Sequence, residues 1–341
     1  MMGQQGGRMK QYMIAIDGGT TNTRASLWQD PGVCVDMVKS DIGVRITSIE
    51  GSNASLKAAV KGLLEQLLEN NKIGYDAIDG IYACGMITSK EGLAELPHLI
   101  APAGKQEFVE GLAKVDLPDV CPLPIHFVRG LKNRDGEGLT LADLEKMDVM
   151  RGEETETLAL LDLFGNESGT LFALPGSHTK FVSVDADGKM IGCLSSLAGE
   201  LLSAVTLNTI LAGAVDKQFA GADYNREMLL AGYRTARDTS FARAAFSTRM
   251  LQMFIPSSEQ DRASFLLGAV LEGDIQAVKN SKALSVTNQM KVVIAGKEPL
   301  ASALKLLFEE DGYFKQVEIY YPTAEKPMSG YGLYQIAKAN Q

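Results

Sequence analysis

Two short stretches carry the side chains best suited to hold a phosphate. Asp17-Gly18-Gly19-Thr20-Thr21-Asn22 follows the apolar run Tyr12 to Asp17, and Pro175-Gly176-Ser177-His178-Thr179-Lys180 follows the run Leu171 to Leu174. In the first turn, glycines allow close backbone approach, successive N–H groups form an anion nest and threonine hydroxyls add donors. Asp17, at the strand end, is a carboxylate suited to hold a metal ion beside the phosphates, directly or through water. The second turn sets glycine, two hydroxyls, an imidazole and an ammonium in a row. Each turn alone also fits an ordinary glycine-rich hairpin, and a lone turn histidine such as His178 is commonly a solvated or capping residue. Occurring once in each half, they predict a clamp that takes a phosphate from two sides. Glu153-Glu154, between a strand and a helix, offers a carboxylate to accept the proton of an attacking hydroxyl; it equally fits the acidic first turn that a helix dipole favours. Val292 to Gly296 before a helix suits a nucleotide base or ribose against Gly296, although strand-glycine-helix is also the common α/β connection. Neither GxxxxGK[ST] nor GxGxxG occurs, which removes the main support for P-loop and dinucleotide-binding classes.

The elements that must position these groups alternate between strand and helix. Strands are expected at Tyr12 to Asp17, Ala25 to Trp28 and Ile78 to Cys84. Helices are expected from Leu56 to Leu68, where Leu56, Val60, Leu63, Leu64 and Leu67 keep a 3.6-residue period, from Thr140 to Lys146 and from Glu154 to Phe164. A turn-rich break at Gly165 to Gly169 precedes a second strand-turn-strand, Leu171 to Leu174 and Phe181 to Val184, with a hairpin into Met190-Ile191. Helices at Leu201 to Leu211, Ala242 to Phe254 and Phe265 to Val278 follow. Strand Val292 to Ala295, helix Leu300 to Phe308, strand Val317 to Tyr321 and helix Gly332 to Ala337 close the chain. The pattern is α/β in two lobes with a cleft between them. Residues 1–10 are read as a flexible extension, 11–165 as one lobe and 166–341 as the other, with the final helix packing back on the first.

Length agrees with two lobes, since 341 residues exceed what one core usually holds. With 33 Lys+Arg against 42 Asp+Glu, the net charge of -9 lacks the positive excess that nucleic-acid binding needs. No uninterrupted apolar stretch approaches the roughly 20 residues of a membrane span. Four cysteines without CxxC spacing and three scattered histidines suggest neither a disulfide framework nor a zinc site. A cytoplasmic protein is expected. Its oligomeric state stays open, a homodimer among the options.

Taken together, these residues resemble the sugar kinase branch of the superfamily that unites actin, hexokinase and the heat-shock ATPases, most closely the 2-dehydro-3-deoxygalactonokinase family. Ile16-Asp17-Gly18-Gly19-Thr20-Thr21-Asn22-Thr23-Arg24 is similar to that family's Asp-Trp-Gly-Thr-Thr-Asn-x-Arg, with Gly18 at the tryptophan position. Gly85 to Ser89, with Gly92, Glu95, Pro97, His98 and Ala101-Pro102-Ala103-Gly104, resembles its substrate-side segment. Met150 to Thr155 and Leu174 to Lys180 match two further signatures. After Gly199-Glu200-Leu201 the chain has Leu207-Asn208-Thr209 where a Ser-His-Ser-like stretch is usual.

The resemblance implies an actin-like, ribonuclease H-like fold and ATP-dependent phosphorylation of the C6 hydroxyl of 2-dehydro-3-deoxy-D-galactonate. Mg²⁺ is implied near Asp17, with Gly18, Gly19, Thr20, Thr21, Asn22, Gly176, Ser177, His178, Thr179, Lys180 and Gly296 around the nucleotide. It puts Thr88, Ser89, Glu95 and His98 on the sugar-acid side, and makes Glu153 or Glu154 the base. The substrate carboxylate needs a cation, for which Arg24 and Arg151 stand in motif positions. A kinase for another sugar or sugar acid, or an ATP-switched binding protein, would use the same clamp.

Overall fold

The computed structural model describes residues 11–166 and 168–341; the extension expected over residues 1–10, and Glu167 of the expected break, lie outside the described residues. In the first unit the apolar run at the start becomes β1 (Tyr12–Gly18), which a tight turn returns as β2 (Thr23–Gln29) and then β3 (Val33–Ser40). Short α1 (Arg45–Glu50) and long α2 (Ala54–Asn71) lead to β4 (Ile78–Gly85). After it come β5 (Leu99–Ile100), α3 (Lys105–Glu110), β6 (Ala113–Val115), β7 (Ile125–Phe127), β8 (Leu131–Lys132), β9 (Val149–Met150) and α4 (Glu153–Phe164).

The main sheet runs β3-β2-β1-β4-β7-β6, with β1, β2 and β3 antiparallel and β4 and β7 parallel to β1. Burial decides which strands the sequence announces. Ile14 and Ile16 of β1 are fully buried, so β1 reads as a continuous apolar run. Edge strand β3 went unannounced because Val38 is its only buried residue. Leu56, Val60, Leu63, Leu64 and Leu67 of α2 all pack in the core under this sheet, as their period requires.

The second unit repeats the plan. Strands β10 (Thr170–Leu174), β11 (Thr179–Val184) and β12 (Met190–Ser196) form the antiparallel start. Helices α5 (Ala198–Asn208), α6 (Arg226–Asp238), α7 (Phe241–Phe254) and α8 (Glu259–Asn280) precede β13 (Lys291–Ala295), α9 (Leu300–Asp311) and β14 (Gln316–Tyr320). The sheet order β12-β11-β10-β13-β14 matches β3-β2-β1-β4-β7 of the first unit strand for strand. This repeated order is that of the ribonuclease H-like unit from which actin-like ATPases are built. Helix α6 escaped the sequence reading because its surface is charged, although Leu229, Gly232, Tyr233 and Ala236 form a narrow i, i+3, i+4, i+7 stripe.

The units do not divide at residue 165. Residues 133–148 belong with the second, and 149–165 and 323–341 with the first, including the closing helix α10 (Met328–Ala339). Specific bonds make the first reassignment. The Asn133 amide donates to the Cys193 and Ala283 carbonyls at 2.9 and 3.1 Å, and Asp148 accepts from the Ser195 N–H and hydroxyl at 2.6 and 2.7 Å. For α10 the reason is aromatic: Tyr331 and Tyr334 lie 5.9 and 6.0 Å from the fully buried Trp28 ring. Among the described residues no helix is long and apolar enough to cross a membrane, and all four cysteines are free.

Helices α6 and α8 cross at a double glycine notch. A Cβ on Gly232 would lie 1.9 Å from the Phe265 carbonyl oxygen, and one on Gly268 1.9 Å from that of Leu229. Gly268→Ala is therefore expected to cost at least about 2 kcal/mol by forcing the helices apart. An unchanged urea midpoint would show that the crossing is loose.

Candidate active site

The first turn stands where β1 gives way to β2. Among the described residues neither the Thr20 nor the Thr21 N–H has a protein acceptor, while the carbonyls of Gly19 and Thr20 accept from Val44 and Arg45 at 3.1 and 3.0 Å. The turn thus offers donors outward and has its acceptors tied down, which is the polarity an anion needs. Thr20 and Thr21 are exposed, and the Asn22 side chain donates to the Thr21 hydroxyl at 3.2 Å. A Cβ at Gly18 would fall 2.5 Å from that of Ile87, so a tryptophan there would have no room in this chain.

Behind the turn lies a group of carboxylates. Asp17 pairs with Arg24 at 3.5 Å and keeps 26% of its side chain exposed, yet burial still raises its pKa against the pull of Arg24 and Ser329. Glu156, one helical turn beyond Glu153, is pushed up to about 7, first by burial and then by the Asp17 and Glu153 charges. Ser329 of α10 joins them, its hydroxyl 3.2 Å from Asp17 Oδ2 and 3.1 Å from Glu156 Oε1. One hydroxyl proton serves one acceptor at a time, so the other carboxylate depends on a proton of its own, on Arg24 or on a ligand. A close crossing puts Ser329 there: a Cβ on Gly332 would lie 1.9 Å from the Thr155 carbonyl oxygen, so only glycine lets α10 sit this near α4. Sequence reasoning missed Glu156 and Ser329. The i+3 spacing from Glu153 was a signal for the first, whereas nothing local pointed to a serine over 300 positions from Asp17.

The acidic pair separates clearly. Glu154 is fully buried; its Oε2 accepts from the Gly152 N–H at 2.7 Å and its Oε1 has no partner among the described residues. Burial, reinforced by Glu153, pushes its pKa up to about 8. Glu153 stays partly open to solvent, with Oε2 accepting from the Arg151 N–H at 3.1 Å, close enough to Asp17 and Glu156 for its charge to be felt by both. Gly152, at φ 118, supplies the left-handed backbone that turns the chain from β9 into α4.

Arg151 is spent on the loop after β4. Its guanidinium donates to the Thr88 carbonyl at 2.7 Å, to the Thr88 hydroxyl, and to the Leu96 carbonyl at 3.1 Å, and lies 3.2 Å from His98 Nε2. His98 is lowered to about 4 by burial and by the Arg151 and Lys132 charges, so it meets Arg151 as a neutral ring. Thr88 is fully buried and also bonds Gly85 O at 3.0 Å, so its hydroxyl is used within the segment. Ser89 is partly exposed and bonds Glu91 at 3.3 Å, and Glu95 is exposed.

In the second unit, strand alternation sorts the motif. Ser177 and His178 are exposed at the turn, with His178 Nε2 2.8 Å from Glu200 Oε1. The cross-strand pair Lys180 and Ser195 meets Asp148, 3.8 Å from the lysine ammonium, while the pair Thr179 and Ser196 faces Asp274 of α8. Asp274 is pushed up to about 6 by burial, and its Oδ2 has no hydrogen-bond partner among the described residues. Asp148 thus anchors Lys180 and Ser195. Gly296 lies against Pro175, where a Cβ would fall 2.6 Å from the ring, so the glycine after β13 does adjoin the second turn. Two cavities, of about 460 and 550 Å³, lie near Trp28 and Tyr334 and near Val184 and Met290. Among the described residues no group of three His, Cys, Asp or Glu is placed to hold a metal ion by itself.

A family model described as 2-keto-3-deoxy-galactonokinase matches residues 17–324, a span holding both turns, the acidic pair and Arg151. The chain belongs to this family. It is accordingly a sugar-acid kinase, a phosphotransferase acting on an alcohol group, and the family's kinase activity implies ATP as donor. A Sinorhizobium meliloti protein assigned as a 2-dehydro-3-deoxygalactonokinase shares the fold, with 23% identity, coverage of 96% of this chain and 98% of that one, and a TM-score of 0.74. Looser likenesses, on which nothing is built, are to an activator of 2-hydroxyisocaproyl-CoA dehydratase from Clostridium difficile (12% identity, 96% and 95% covered, TM-score 0.48) and a Porphyromonas gingivalis protein assigned as an N-acetylglucosamine kinase (11%, 96% and 99%, 0.47). No curated protein matches the sequence.

Because Glu154 holds its proton more tightly folded than unfolded, stability falls as pH rises from the ordinary value of 4.5 toward about 8. Glu154→Gln keeps an acceptor for Gly152 and removes the titration. Its urea midpoint is expected to decline less than the parent's between pH 5 and 8; parallel declines would mean that Glu154 is ionised throughout.

Proposed function

We propose that this kinase transfers the γ-phosphoryl group of ATP to the C6 hydroxyl of 2-dehydro-3-deoxy-D-galactonate, with Glu153 as the general base. The observation that carries the reading is the split of the acidic pair: Glu154 is sealed, while Glu153 reaches solvent on the first turn of α4 within electrostatic range of Asp17. Glu153 would accept the proton of the attacking hydroxyl as the oxygen–phosphorus bond forms, while the turn after β1 would orient the transferring phosphate through its outward N–H groups.

The residues present fit Mg²⁺. This ion commonly takes one or two carboxylates and fills its shell with water and phosphate oxygens, which suits the partly exposed Asp17 better than a closed protein cage would. Bound there, it would neutralise charge on the phosphoryl group. Thr20, Thr21 and Asn22 would bind phosphate at the first turn, and the exposed Ser177 and His178 at the second. Thr179 and Lys180, both buried, would support the second turn through their serine and aspartate partners. The reading places the enzyme in the cytoplasm, where ATP is made available.

A coupled assay of ADP release over a panel of keto-deoxy sugar acids and neutral hexoses tests this. Release is expected to rise strongly with the sugar acid; slow turnover indifferent to any sugar would make the protein a nucleotide-switched binder. Glu153→Gln is expected to lower kcat roughly 10²- to 10⁴-fold, and Glu154→Gln at least about tenfold less. Equal losses would remove Glu153 from the role of base.

A further inference from the structure

We infer that Arg129 holds the carboxylate of the sugar-acid substrate, an inference that rests on the function proposed above. The two sequence candidates already have partners within the first unit. Arg24, 46% exposed, makes one ion pair with Asp17 at 3.5 Å, and Arg151 donates to two backbone carbonyls and a hydroxyl. Arg129 is in the opposite condition. Its Nε is buried without a partner, and among the described residues no hydrogen bond or ion pair engages its guanidinium. The residue as a whole is half-buried, but an N–H withdrawn from water without an acceptor is costly, and a carboxylate arriving there would offset that cost with charge-assisted bonds.

Its place in the fold is where a ligand belongs. Arg129 leaves β7 at the carboxyl end, just after Val128 bonds the Ala83 carbonyl of β4 at 2.8 Å. On the other side of β4, Gly85 is paired with Gly18 beside the phosphate turn. Ligands of open α/β sheets bind at the carboxyl ends of parallel strands, and β1, β4 and β7 are three such neighbours. Two interstrand spacings of about 4.8 Å put Arg129 roughly 10 Å along the edge from the end of β1. A six-carbon acid fixed by its C1 carboxylate at one end and reacting through its C6 hydroxyl at the other bridges such a span. The residue after Arg129 ties it to the loop braced by Arg151, since Gly130 accepts from Leu99 at 2.8 Å and lies against the His98 ring. A cation is needed at this edge because Asp17, Glu153 and Glu156 would otherwise repel an anionic substrate.

The test compares 2-dehydro-3-deoxy-D-galactonate with its uncharged C1 amide, in kinetics and in calorimetric binding without ATP. Arg129→Gln is expected to raise the KM and Kd for the acid roughly 30-fold or more and to erase most of the preference for acid over amide, with the ATP KM within about twofold. Arg129→Lys, which keeps the charge but not the fork, is expected to recover part of that preference, and melting temperatures of both variants check the fold. Should the parent phosphorylate the acid and Arg129→Gln keep its full preference, the inference is overturned and the proposed function stands. Should Arg129→Lys behave as the parent while Arg129→Gln is merely unstable, with no change in acid-over-amide preference, the residue is structural and the inference is likewise overturned. If the parent neither binds nor phosphorylates any sugar acid, both readings fall together.

Discussion

Three carboxylates, Asp17, Glu154 and Glu156, gather around the buried Cys84 at the end of β4, and keeping them there is the constraint around which the first unit is arranged. Burial penalises their charge, and the shifts to about 8 at Glu154 and about 7 at Glu156 show that the penalty is only partly met. Each compensating contact has left a mark on the backbone. Gly152 turns so that its N–H faces Glu154, Ser329 is brought in by α10, and Gly332 is bare so that α10 can approach α4. Packing for its own sake would favour apolar residues at these positions. On the proposed function, these negative groups would be held near a site where phosphate and a divalent ion reduce their mutual repulsion.

The second unit solves the corresponding problem with alternation. Side chains of successive residues point to opposite faces of a strand, so Thr179 with Ser196 and Lys180 with Ser195 form two cross-strand pairs, each held by an aspartate from outside the sheet. The tip, Ser177 and His178, stays exposed, while the buried pairs set its position. Residues that a motif lists side by side therefore divide between an exposed tip and its buried support.

The same division runs through the loop after β4. Arg151 and Thr88 look like binding residues by type, but the guanidinium commits most of its donors to two carbonyls and a hydroxyl. Their product is a rigid segment that carries Ser89, Glu95 and the neutral His98.

Much of the fold could be read directly. Continuous apolar runs mark the fully buried strands β1, β10 and β13, and the 3.6-residue period marks α2, because each of these buries a face that only apolar residues can fill. The two turns were legible for a local reason as well: an anion nest needs glycine and hydroxyl residues in sequence. Edge strand β3 and the charged helix α6 were not, since little of either is buried. Nor could local sequence separate Glu153 from Glu154, bring Ser329 to Asp17, or assign residues 133–148 to the second unit. Each of those outcomes depends on which side chain another element covers, and partners such as Asp17 and Ser329 or Asn133 and Ala283 meet only when the chain has folded. Residue type and spacing determined the kind of chemistry, and burial decided which groups are left to perform it.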